Sequence, residues 1–125
     1  MKNVLVVDDS ATMRRMVIAS LRPIEQATYL EASNGLEAIE QLAVGRVDLV
    51  ILDLNMPDMH GMEVVAFMRK HATFQGVPII VLTTRGDDES RSAAMAAGAT
   101  QFLNKPFDPA ALAASARGLL FGDAH

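Results

Sequence analysis

Short β-branched runs at residues 4–7, 49–54 and 77–83 punctuate the chain, and residues 49–52 (LVIL) are apolar at every position. A strand with one wet face alternates polar and apolar residues. A strand apolar on both faces must be covered on both sides, as in the centre of a parallel sheet. Between these runs lie longer segments with helical spacing. Ser10 is a candidate N-cap, and Met13, Met16, Val17 and Leu21 recur at helical intervals until Pro23 stops the run. Residues 28–32 form a weaker, alternating strand expected near an edge. Asn34-Gly35 leads into a second helix with a stripe at Leu36, Ile39, Leu42 and Ala43. Val64, Val65 and Met68 mark a third helix. Residues 87–97 form an Ala-rich fourth helix that stops at Gly98, and residues 100–104 a fifth strand. Asp108-Pro109 opens a last helix with apolar positions Leu112, Ala116, Leu119 and Leu120. The expected fold is α/β: a (βα)5 doubly wound, five-stranded parallel sheet with helices on both faces, in a single domain over residues 1–125.

Composition narrows the function. The 125 residues are half hydrophobic and carry a net charge of −4 with 11 basic residues, and no basic run is present. Direct nucleic-acid binding and an anionic membrane surface are therefore disfavoured. There is no cysteine, which removes disulfides, thiolate metal sites and a thiol nucleophile. No stretch approaches the roughly 20 apolar residues that span a bilayer, so a cytoplasmic protein is expected.

The polar residues with chemistry collect at the carboxyl ends of the strands, where open α/β sheets form their sites. Strand one ends at Asp8 and Asp9, strand three at Asp53, strand four at Thr83-Thr84, and strand five at Asn104-Lys105-Pro106. A single Asp after a strand is often a turn or a cap. Three carboxylates on one rim raise one another's pKa, and a divalent cation removes that penalty. Hard oxygen donors fit Mg²⁺. The segment from Asp53 is no EF-hand, because Asp58 and Val64 stand where a glycine and a bidentate glutamate are needed. A dehalogenase-type phosphatase needs an acid two residues after its nucleophile, where this chain has Asn55. A flavin site lacks its phosphate loop after strand one.

In order and at these spacings, "VDDS" (7–10), "LDLNMPDMHG" (52–61), "LTT" (82–84) and "NKPF" (104–107) resemble the receiver domain of two-component response regulators over essentially the whole chain. "ATMRRMV" (11–17) and "DLNMP" (53–57) are most similar to the stand-alone chemotaxis regulators of that family. The resemblance implies strand order 2-1-3-4-5. It implies Asp53 as phosphoacceptor from a sensor histidine kinase. It implies Mg²⁺ on Asp9, Asp53 and the backbone carbonyl of Asn55, with Asp8 acting through water, and Lys105 on the phosphoryl oxygens. Thr83 and Phe102 are the implied switch pair: Thr83 moves to the phosphoryl group and Phe102 rotates inward. The face of helix four, strand five and helix five then changes its affinity for a downstream protein, the flagellar motor switch being one candidate. A cis Lys105-Pro106 peptide is also implied. The chain is expected to be a switch rather than a turnover enzyme, as a monomer or a phosphorylation-dependent dimer.

Two other readings stay open: a receiver belonging to a longer regulator with a DNA-binding or enzymatic output, and a small Mg²⁺-dependent phosphatase. Some residues depart from the family. Phe102 lacks a tyrosine hydroxyl, and Thr84 is bulky enough to hinder inward rotation of the ring. His60 is expected to be a solvated loop residue. Asn55 and Arg85 flank the site. His71 and His125 form no ligand pattern, and the eight methionines are expected mostly to fill the core.

Overall fold

A computed structural model describes residues 1–56, 60–84 and 88–122. Strands and helices alternate: β1 (Lys2–Val7), α1 (Ala11–Leu21), β2 (Ala27–Ala32), α2 (Gly35–Val44), β3 (Leu49–Leu52), α3 (Gly61–Lys70), β4 (Ile79–Thr83), α4 (Asp88–Ala97), β5 (Gln101–Asn104) and α5 (Pro109–Phe121). The sheet is parallel with order β2-β1-β3-β4-β5. This is the (βα)5 architecture expected from the alternation.

The central strands read as the sequence demands. Successive side chains point to opposite faces, and both faces are dry. Leu5, Val7, Val50, Leu52, Ile79 and Val81 face one core. Val4, Val6, Leu49, Ile51, Ile80 and Leu82 face the other. The first core is completed by α2, α3 and α4, through residues such as Leu42, Val64, Val65, Met68 and Ala94. The second is completed by α1 and α5, through Val17, Leu21, Leu112 and Ala116. Burying each of these large side chains is worth about 1.5–3 kcal/mol, so a slipped register is strongly disfavoured.

Helix starts follow local chemistry. The Ser10 side chain accepts from the Met13 N–H, Asn34 from Glu37, and Asp108 from Ala110, with Pro109 in the first turn of α5. Asn34-Gly35 thus opens a helix, not a hairpin.

Several details differ from the sequence reading. β1 begins at Lys2 and β2 at Ala27, because the two strands pair over their full length. β4 begins at Ile79: Pro78 has no N–H to give, but its carbonyl still accepts from Val50. β5 begins at Gln101, and α4 is described from Asp88, Asp87 lying outside the described residues. The buried stripe of α2 is Gly35, Ala38 and Leu42 rather than one containing Leu36 and Ala43, both of which are exposed. With Asn34 as cap, Gly35 faces the sheet, and the next residue is rotated by about 100° away from it. The methionines also divide. Met56 and Met68 are buried, Met13 and Met62 half-buried, and Met1, Met16 and Met95 exposed. Met59 lies outside the described residues. Unbranched Met is tolerated in water-facing helix positions by its high helix propensity.

At the end of the sheet away from the acids, Arg69 fastens three segments. Its Nε donates to the Gly98 carbonyl (2.9 Å), and Nη1 to the carbonyls of Val77 (2.7 Å), Gln75 (3.1 Å) and Phe74 (3.4 Å). Gly98 has φ +121°, and a Cβ there would meet the Arg69 side chain at 2.6 Å. Burial holds the Arg69 guanidinium below its ordinary pKa. Each partly buried carbonyl left without a donor costs about 1–3 kcal/mol. Arg69→Met is therefore expected to lower stability by roughly 2–4 kcal/mol, read from the midpoint of urea denaturation; a change under ~0.5 kcal/mol means that water replaces the guanidinium.

Candidate functional site

The strand register builds the acidic rim. Val7 pairs with Leu52, and Leu52 with Val81. The residues that follow Val7 and Leu52 are Asp8 and Asp53, so they emerge side by side, and the Asp53 N–H donates to the Val7 carbonyl at 3.0 Å. One strand further, Thr83 pairs with Asn104, and the Lys105 N–H donates to the Thr83 carbonyl at 2.9 Å. The Lys105-Pro106 peptide is cis.

Asp8 and Asp53 are buried, at 4% and 6% exposure, and Thr83 is fully buried. Asp9 is exposed. Both oxygens of Asp8 are engaged: Oδ1 accepts from the Ser10 N–H (2.9 Å), and Oδ2 meets Lys105 Nζ at 2.7 Å. Asp53 Oδ1 accepts from the Asn55 N–H (3.2 Å), and its Oδ2 lies 3.6 Å from Lys105 Nζ. Asn55 Nδ2 donates to Thr83 Oγ1 at 3.3 Å. One carboxylate oxygen each from Asp8, Asp9 and Asp53 all lie within 4.8 Å of one another.

Burial pushes the Asp53 carboxyl above its ordinary pKa, and the Asp8 charge pushes the same way. The Asn55 N–H, the Lys105 ammonium and a hydrogen bond with the Thr83 hydroxyl pull it back only in part. The donor set fits a divalent cation. All three ligating atoms are hard oxygens, and one ammonium against three carboxylates leaves a formal charge of −2.

The backbone is held from behind. The Gly61 N–H donates to the Leu54 carbonyl at 3.0 Å. A Cβ on Gly61 would stand 2.5 Å from the Asp53 carbonyl oxygen and 2.8 Å from the Leu54 Cα, so only glycine permits this approach of α3. Beside it, His60 is the N-cap of α3, its Nδ1 accepting from the Met62 N–H at 3.1 Å. It is not the solvated loop residue expected; its place immediately before a glycine and a helical run was the available signal. A second residue passed over by the sequence reading is Arg14, whose Nη1 donates to the Asp8 carbonyl (2.5 Å) and Nε to Glu31 (2.8 Å). Its position four residues after the Ser10 cap, facing back toward the strand end, was the signal.

Phe102 corrects another expectation. The ring is 4% exposed and packed in the core, with the Arg91 guanidinium 5.6 Å from its centroid. It lies inward in this structure, and the exposed Thr84 does not keep it out. His71 packs against Phe67 and Phe74, at 5.4 and 4.8 Å between ring centroids. Asp58, Arg85 and His125 lie outside the described residues. Among those described, no helix is long and apolar enough to cross a membrane.

Fold and rim together define a signalling receiver. The family model for the response regulator receiver domain matches residues 4–117, and the chain belongs to that family. It is 40% identical over 109 residues to the chemotaxis protein CheY1 of Helicobacter pylori, covering 86% of this chain and 88% of that one. It is 39% identical over 121 residues to the cyclic di-GMP phosphodiesterase response regulator RpfG of Xanthomonas campestris, covering 94% of this chain but 32% of RpfG. Among solved structures, the chemotaxis response regulator CheY4 of Vibrio cholerae superimposes with a TM-score of 0.86 at 37% identity, covering 96% of this chain and 99% of that one. The chain is a CheY-like receiver domain, a class of signalling switch rather than of turnover enzymes.

The raised pKa of Asp53 makes a signed prediction. Folding takes up a proton at this carboxyl, so the ionised form is a cost to the fold. That cost is present in full above the raised folded pKa and is gone below the unfolded value. Without divalent cation, Asp53→Asn should therefore melt higher than wild type at neutral pH, and the gap should close as acid is added. A gap that widens on acidification contradicts the assignment.

Proposed function

We propose that the protein is a phosphorylation-dependent binding switch whose phosphoacceptor is Asp53. The observation that carries this reading is the placement of the buried Asp53 carboxylate, 3.6 Å from the Lys105 ammonium and grouped with Asp8 and Asp9. A carboxylate oxygen of Asp53 attacks the phosphorus of a kinase phosphohistidine. The new O–P bond forms as the P–N bond breaks, and the electron pair returns to the imidazole nitrogen. Phosphoryl transfer depends chiefly on positioning and charge neutralisation.

Asp9, Asp53 and the Asn55 carbonyl would hold Mg²⁺, with Asp8 acting through water. The cation supplies neutralisation of the carboxylates and of the phosphoryl oxygens. The chain's own groups do the rest. Lys105 contributes a point charge beside the acceptor oxygen. The Asn55 N–H fixes one oxygen of Asp53, leaving the other for attack. The division between the first two acids is supported by their surroundings: both Asp8 oxygens are taken by Ser10 and Lys105, while Asp9 stands open to solvent.

The new acyl phosphate brings about −1.5 to −2 charges and acceptor oxygens next to Thr83. The Thr83 hydroxyl turns to it, releasing the Asn55 amide. The response then reaches a downstream protein through the face of α4, β5 and α5. Phe102, whose ring is buried in this structure, is the second member of the switch pair with Thr83. Kinship with CheY1 and CheY4 supports a chemotaxis role in the cytoplasm, with a motor component as one target. A second reading, a receiver module of a longer regulator, is supported by the match to RpfG, of which the chain covers 32%; the coding sequence flanking this chain decides it.

With a small phosphodonor and Mg²⁺, wild type should form an alkali-labile acyl phosphate and Asp53→Ala should not. Label that persists in the variant removes Asp53 from the role. In Mg²⁺ titrations, Asp9→Ala should lose more affinity than Asp8→Ala; the reverse order undoes the division between the two acids.

A further inference from the structure

The first turn of α1 carries a guanidinium that the phosphoacceptor chemistry leaves unused. The Arg14 N–H closes the first helical hydrogen bond to the Ser10 carbonyl, at 3.0 Å. Its side chain runs back toward the end of β1 and is only 14% exposed. There it forks. Nη1 donates to the Asp8 carbonyl at 2.5 Å, and Nε to Glu31 Oε1 at 2.8 Å. Glu31 stands near the end of the edge strand β2, opposite Val6. One side chain thus joins α1, the end of β1 and β2.

The Asp8 carbonyl shares a planar peptide unit with the Asp9 nitrogen. Fixing that oxygen fixes the plane from which the Asp9 side chain departs. Asp9 has little else to orient it. Asp8 is held by Ser10 and Lys105, and Asp53 by Asn55 and Lys105. The Asp9 carboxylate takes no hydrogen bond from any described residue. We infer that Arg14 is a positioning residue for the cation site, aiming Asp9 through the Asp8–Asp9 peptide with a fork anchored on Glu31.

The inference rests on the reading of Asp8, Asp9 and Asp53 as a divalent-cation site, and the sign of the effect separates it from plain electrostatics. A guanidinium near the acids repels an incoming cation. If Arg14 were only a charge, its removal would tighten Mg²⁺ binding. If it positions Asp9, removal weakens binding despite the lost repulsion. Lysine keeps the charge but has no planar fork to serve two acceptors at once.

The test is Mg²⁺ titration of the full chain by calorimetry, for wild type, Arg14→Met and Arg14→Lys, with melting curves for each. Both variants should bind Mg²⁺ about 10-fold more weakly, the lower end of what outer contacts to metal ligands are worth. Acyl-phosphate formation from a small phosphodonor should be restored to wild-type rate at saturating Mg²⁺. Unchanged or tighter binding in Arg14→Met, with only a lower melting temperature, overturns the inference and leaves the cation site standing. If Arg14→Met does not fold, Arg14→Lys decides on the same criterion. A wild-type protein that binds no Mg²⁺ removes both the site and the inference.

Discussion

The parallel pairing of β1 with β3 is the constraint from which the site follows. Val7 and Leu52 are level in the ladder, so the two residues after them share one rim. A strand rises about 3.3 Å per residue. A slip of one residue would move Asp53 by that much relative to Asp8 and turn Leu52 and Ile51 to the wrong faces. The hydrophobic cores therefore set the distance between the acids, and the acids exact a cost in return. Two carboxylates are buried where the core ends, and the single ammonium of Lys105, itself 9% exposed, lies against both. One buried cation does not balance two buried anions and a third at the mouth. The rim is held in a charge-unbalanced state that a bound divalent cation would relieve.

Much of this was legible in the residues. Runs apolar on both faces imply central parallel strands, and Asp8, Asp53 and Thr83 each follow or end such a run, while Lys105 follows the shorter edge strand β5. What sequence could not convey was phase and partnership. Leu36 and Gly35 are adjacent, and hydropathy favours the leucine as the buried one. The Asn34 cap instead sets the helix rotation and turns the glycine inward. His60 carries no hydropathy signal, and its capping contact depends on a lone pair of Nδ1 aimed at a backbone N–H. Arg14 reads as one of two consecutive arginines on a polar face. Its contacts to the Asp8 carbonyl and Glu31 join segments 6 and 17 residues apart, which periodicity does not reveal.

Phe102 shows how a family expectation and a particular chain diverge. The ring fills space against α4 and is covered by Arg91. A phenylalanine has no hydroxyl to satisfy in water, and burial of its whole surface is favourable. A tyrosine at this place would divide its preferences between a dry ring and a wet oxygen. This chain resolves that competition toward the interior, with a guanidinium over the ring as a lid.

The contacts of Arg69 have a further consequence. It grips only backbone carbonyls, those of Gly98, Val77, Gln75 and Phe74. Carbonyls do not titrate, and a guanidinium keeps its proton throughout the physiological range. The acid rim carries its contacts on ionisable carboxylates, whereas this clasp at the opposite end of the sheet is made of carbonyls and a guanidinium. The clasp of Arg69 thus keeps its charge and its acceptors across the pH range in which the Asp53 carboxylate changes its own.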